Sequence, residues 1–186
     1  MTAADYVLRF HSYAPYAMGW LYYGNDFLYG RAGYLLGALQ LRQRLGESVV
    51  DNQLVCDLIR RLFEEGEASA TLCKENARAA SSRAAGTVLK KNQIRISDMK
   101  LLYEFEDEEY LGASQGLAGV LMALLSAPRE LLEMAKDDWA QAIEASLGNL
   151  IRLDRGRNGT SRYRPFLAVQ KNGLCRSEGV DTVQWC

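Results

Sequence analysis

The chain has 186 residues, the length of one domain or of a piece of a larger one. Lys and Arg total 22 against 23 Asp and Glu, a formal charge of −1. That balance leaves no whole-molecule field to steer nucleic acid or an anionic membrane. Hydrophobic residues at 48% and charged residues at 24% exclude a generally disordered chain. The longest apolar stretch, Leu117 to Leu125, falls well short of the roughly 18 residues of a membrane span. The opening Met1-Thr2-Ala3-Ala4-Asp5-Tyr6 shows no basic-then-apolar secretory pattern. Cys56, Cys73, Cys175 and Cys186 are therefore expected as reduced thiols of a cytoplasmic protein. Asn158-Gly159-Thr160 fits a glycosylation sequon, and without secretion it reads as a glycine turn.

The apolar period is mostly helical. Asp5 to Met18 carries Tyr6, Val7, Phe10, Tyr13 and Ala14 on one stripe, with a break expected near Pro15. Gly33 to Leu45 places Leu35, Leu36, Leu39 and Leu41 in a helical pattern that Gly46 is expected to help end. Asp51 to Glu65 is the clearest amphipathic segment, through Leu54, Val55, Leu58, Ile59, Leu62 and Phe63, and Gly66 is its expected stop. Residues 67–91 read as a surface helix or an insertion, and Ile94 to Phe105 as an extended or irregular connector. The acidic run Glu104 to Glu109 reads as a solvated face rather than a metal site. Gly116 to Ser126 is an apolar helix limited by Pro128, and Asp137 to Leu153 places Trp139, Ile143, Leu147, Leu150 and Ile151 on one helical face. From Arg155 onward the pattern is loop-like. Arg152, Arg155, Arg157, Arg162 and Arg164 form a basic run there, read as solvated, with a phosphate or acidic lipid head group as the alternative.

An internal repeat organises these segments. Gly30-Arg31-Ala32-Gly33 matches Gly116-Leu117-Ala118-Gly119, and in that register Leu35 falls on Leu121 and Leu39 on Leu125. Each motif opens an apolar helix that a second, amphipathic helix follows, which suggests an all-α solenoid or α/α toroid. Glycines at such a start let backbones approach closely. The freed NH groups of the first turn would favour anionic ligand groups at Gly30, Gly33, Gly116 and Gly119. The alternative is that these glycines only solve packing.

Three motifs carry a family resemblance. Asp26-Phe27-Leu28-Tyr29-Gly30-Arg31-Ala32-Gly33-Tyr34-Leu35 resembles a signature of the lanthionine synthetase C-like (LanC-like) proteins. Tyr110-Leu111-Gly112-Ala113-Ser114-Gln115-Gly116-Leu117-Ala118-Gly119 is similar to the family's Tyr-Leu-Gly-Ala-Ala-His-Gly-Leu-Ala-Gly. Val183-Gln184-Trp185-Cys186 resembles the start of its Trp-Cys-His-Gly motif. The resemblance implies a double ring of helices, of which residues 1–186 would be one partial domain, an incomplete toroid. It also implies zinc-dependent addition of a thiol, from glutathione or a peptide cysteine, to a dehydroamino acid. Zinc favours thiolate and imidazole ligands and deprotonates a bound thiol near neutral pH.

Residue by residue, the resemblance puts Cys186 at the family's first zinc-cysteine position. It puts Asp26 at the acidic position near the reaction centre, where the alternative is a turn carboxylate stabilised by a helix dipole. Gln115 stands where the family has a histidine that moves a proton; glutamine hydrogen-bonds but does not titrate. His11 reads as a surface or packed histidine, and Cys56 as a small hydrophobe. The family's later Cys-His pair does not occur here, so the chain is expected to be a truncated product, fragment or splice form, inactive and self-associating when alone. The alternative is a non-catalytic helical scaffold that binds glutathione, a peptide or a protein. Peripheral membrane contact is left open, and nucleic acid is not expected.

Overall fold

The structure, a computed structural model, describes residues 2–19, 24–83, 99–105, 108–154 and 166–167. Its helices are α1 (Ala3–Gly19), α2 (Arg31–Leu45), α3 (Asn52–Arg83), α4 (Leu117–Leu125), α5 (Arg129–Ala135) and α6 (Trp139–Asp154), with a 3-10 turn at Glu47–Val49. The expected all-α fold is borne out. Three very short strands, β1 (Glu104–Phe105), β2 (Glu108–Tyr110) and β3 (Phe166–Leu167), form one antiparallel sheet in that order. The acidic run thus supplies a hairpin edge. None of the helices searched among the described residues is long and apolar enough to cross a membrane. Cys175, Cys186, the sequon and the side chains of the basic run at 152–164 lie outside the described residues.

Where the amphipathic pattern is strongest, burial follows it. Val55, Leu58, Ile59, Leu62 and Phe63 of α3 are buried, and α3 packs on α2 and α5. Cys56 is buried with them, its thiol 3.7 Å from the Leu131 carbonyl, as a small hydrophobe would be. Gly46 closes α2 as expected, at φ 104° with its NH donated to the Arg42 carbonyl.

Two expectations need correction and two need refinement. Pro15 does not break the first helix: α1 continues to Gly19 with Pro15 inside it. The α1 stripe is only partly covered: Val7, Phe10 and Ala14 are half-buried, and Phe10 packs against the core. Ala17 is its buried residue, while Tyr6 and Tyr13 are 57% and 58% exposed. Pro128 begins a further helix rather than only limiting α4, because α5 starts at the next residue, where a fixed φ and a missing NH cost a helix nothing. Finally, Gly66 does not stop α3. The helix runs on to Arg83, burying Ala70 and Cys73 on the way.

Gly66 instead marks a crossing. The connector at 99–103 is irregular and, Lys100 apart, buried, with hydrogen bonds to both α3 and α6. Leu102 NH donates to the Gly66 carbonyl at 3.0 Å, Leu101 NH to Ser146 Oγ at 3.1 Å, and the buried Tyr103 hydroxyl to the Leu62 carbonyl at 2.8 Å. A β-carbon on residue 66 would lie 2.6 Å from that hydroxyl oxygen. Burial pushes the Tyr103 phenol pKa far up, so it is a permanent donor.

This geometry sets the sign of a substitution. In an open helix Gly→Ala stabilises by about 1 kcal/mol. Here Gly66→Ala is expected to destabilise by about 1–3 kcal/mol, the usual penalty of overpacking. Adding Tyr103→Phe, which removes the clashing oxygen, should recover part of the loss. Urea unfolding of the single and double variants checks both.

Candidate functional site

The two glycine motifs build the same object twice. Gly30 and Gly116 precede α2 and α4 with extended backbones, at φ −110°, ψ −167° and φ −132°, ψ −167°. Three residues on, Gly33 NH donates to the Asp26 carbonyl at 3.4 Å and Gly119 NH to the Gly112 carbonyl at 3.3 Å. A β-carbon on Gly33 would overlap the Phe27 carbonyl oxygen, and one on Gly119 the equivalent Ala113 oxygen. Only glycine lets each helix start press onto its own preceding turn. Packing therefore explains these glycines, and no ligand group is needed to account for them. The repeat register holds for Leu35 and Leu121, both buried, and then lapses: Leu39 is buried, Leu125 exposed.

The two turns are joined. Phe27 NH and Leu28 NH both donate to the Ser114 carbonyl, at 3.0 and 3.2 Å. Asp26 and Gln115 therefore sit on loops locked together through their backbones, each one residue from that junction. The Gln115 side chain is half-buried.

Asp26 is 3% exposed. Its Oδ1 accepts from Leu28 NH at 2.8 Å and Tyr29 NH at 2.7 Å, so one oxygen holds the turn. Its Oδ2 is buried and has no hydrogen-bond partner. The turn-carboxylate reading accounts for the first oxygen and leaves the second unexplained. Burial raises the carboxyl pKa above its ordinary 3.8, against the lowering by the backbone NH groups it accepts from.

Sequence reasoning missed the support beneath this turn. Arg31, buried at the first position of α2, donates from Nε to the Ala17 carbonyl at 2.9 Å. Its Nη1 reaches Asn25 Oδ1 at 2.9 Å and Glu65 Oε2 at 2.8 Å, and Asn25 Nδ2 also donates to Glu65 at 2.9 Å. One guanidinium thus ties the end of α1, the residue before Asp26, and α3. An arginine inside a glycine motif that opens an apolar helix was the available signal. Its partner, 34 residues away, was not.

Metal donors do not gather here. Among the described residues no three His, Cys, Asp or Glu side chains come together to hold an ion. Cys56 and Cys73 are buried in the core, and burial raises the Cys56 thiol pKa, the wrong direction for a thiolate ligand. His11 is an exposed surface histidine with Nε2 2.8 Å from the Val49 carbonyl. Cys186, the position the resemblance assigns to zinc, lies outside the described residues.

The family of the lanthionine synthetase C-like protein matches residues 6–186. A LanC-like protein GCL1 of Arabidopsis thaliana is 32% identical over 103 residues, covering 55% of this chain and 18% of that relative. A protein named glutathione S-transferase LANCL1, of Danio rerio, is 25% identical over 101 residues, 54% of this chain and 20% of that protein. The matched stretch thus spans about a fifth of the length of these curated relatives.

Two outcomes follow from the geometry. A carboxyl whose folded pKa is raised binds its proton more tightly in the native state, so stability is fullest below the unfolded value and falls as pH rises through the folded one. Urea midpoints should decline with pH from about 3.8 upward on account of Asp26, and Asp26→Asn should flatten that part of the profile. Arg31→Lys keeps the charge but loses the fork, and should cost about 1–3 kcal/mol in the same measurement.

Proposed function

The chain belongs to the lanthionine synthetase C-like family, and on that footing we propose that it carries the Asp26 sector of a thiol-addition site in an α/α toroid. The reaction adds a thiol, from glutathione or a peptide cysteine, across the double bond of a dehydroamino acid. The thiol gives up its proton, the sulfur–carbon bond forms at the β-carbon as the double bond's electron pair moves toward the carbonyl, and the α-carbon takes a proton in turn. The observation that carries the reading is the buried, unpartnered Oδ2 of Asp26, on a turn fixed by its own Oδ1. Burial raises this carboxyl's pKa above the ordinary carboxylate value, which favours its proton-bound form relative to an exposed aspartate.

Its position supports the role. The backbone holds one oxygen, the Gly33 contact holds the turn, and Arg31 holds the residue before it. The carboxyl therefore has little freedom left, which is what positioned proton transfer asks for. The printed name of the Danio rerio relative favours glutathione as the thiol. Zinc belongs to this reading through Cys186 alone, the motif position, and no step is routed through it.

A second reading rests on Gln115. It stands beside Asp26's turn at the position of the family histidine and cannot titrate. In that reading the helices bind glutathione or a peptide without chemistry.

Incubating the protein with glutathione and a dehydroalanine peptide, with adduct followed by mass spectrometry, separates the two. Under the first reading Gln115→His raises the rate by about 100-fold or more, the ordinary worth of a general acid–base, and Asp26→Asn removes that gain. Adduct at the uncatalysed rate in every variant, with glutathione still bound by calorimetry, would leave the scaffold.

A further inference from the structure

The exposed stripe of α1 is not idle surface. α1 and α2 run antiparallel: Arg31 near the start of α2 bonds to Ala17 near the end of α1, and the Tyr34 hydroxyl donates to the Phe10 carbonyl at 2.8 Å. Phe10 and Tyr34 stack with ring centroids 4.2 Å apart. Beside this seam lies an open groove of about 430 Å³. From α1 it is lined by Tyr6, Arg9, Phe10 and Tyr13. From α2 it is lined by Gly37, Gln40, Leu41 and Arg44. Both sets follow i, i+3, i+4, i+7, the face of two helical turns. The groove therefore runs along two adjacent helices.

Its charge is one-signed. No carboxylate lines it, and neither Arg9 nor Arg44 has a carboxylate partner among the described residues. We propose that the α1–α2 groove docks an amphipathic helix of another protein, its apolar residues at i, i+3 or i+4, and i+7 filling the trough and its carboxylates meeting Arg9 and Arg44. The aromatic walls supply the rigid contact area that anchors such helices, and the two cations select acidic flanks.

The probe is a fluorescein-labelled synthetic helix of about five turns, with leucines on one face and glutamates flanking them. Its counterpart carries lysine at every glutamate, and vesicles of phosphatidylcholine with phosphatidylserine form the third arm. Fluorescence anisotropy should show saturable binding of the glutamate helix, weakened about tenfold by Arg9→Glu or Arg44→Glu. Gly37→Leu, which plugs the groove floor, should abolish it. Both arginines are exposed, and far-UV circular dichroism establishes that each variant is folded; Arg9→Gln and Arg44→Gln give a milder series. Equal binding of the lysine helix, indifference to the arginine variants, or vesicle binding that needs both arginines while neither helix binds would overturn the proposal.

Discussion

Everything near Asp26 depends on a backbone pressed against a backbone. Gly33 and Gly119 bring a helix start so close to the preceding turn that no β-carbon fits between them. The approach is an ordinary hydrogen bond, glycine NH to a carbonyl seven residues back, made in both repeats. Because it occurs twice, and because Ser114 accepts from the first turn, the two loops behave as a single piece of backbone. Side chains on such a piece inherit its fixity without having to arrange it themselves.

Asp26 then concentrates the electrostatic cost of the region. A buried carboxylate normally satisfies both oxygens or shifts toward its neutral form. Here the turn satisfies one, and the pKa moves up. The cation that opens the next helix is committed elsewhere, its fork spread over Ala17, Asn25 and Glu65. Glu65 is partly exposed, so this ion pair is better understood as geometry than as stability: a planar donor with acceptors on three segments fixes where those segments cross.

How much of this the sequence disclosed follows from the range of each cause. The glycine repeat was legible because both copies need the same close approach, and the strong apolar period of α3 was legible because burial tracks it. Gly66 was misread because a glycine at the end of a pattern has two causes with one appearance. The one at work here is Tyr103, 37 positions on in the chain, whose ring takes the space a side chain would fill. The α1 stripe shows a related limit: period reveals that a face is apolar, not what covers it. Glu65 left no local sign at all, since its function comes from Arg31 and Asn25 across the fold.

The two surfaces singled out above share one helix. The start of α2 anchors the Asp26 turn, and its second half lines the groove. They are linked through α1, because the carbonyls of Ala17 and Met18 hold Arg31, at 2.9 and 3.5 Å, and Arg31 holds Asn25. A helix seated in the groove would bridge α1 and α2 directly and so oppose their separation. Separation would pull those carbonyls from Arg31 and loosen the residue next to Asp26. Arg31 is thus the residue through which the end of α1, the start of α2 and the Asp26 turn share one set of contacts.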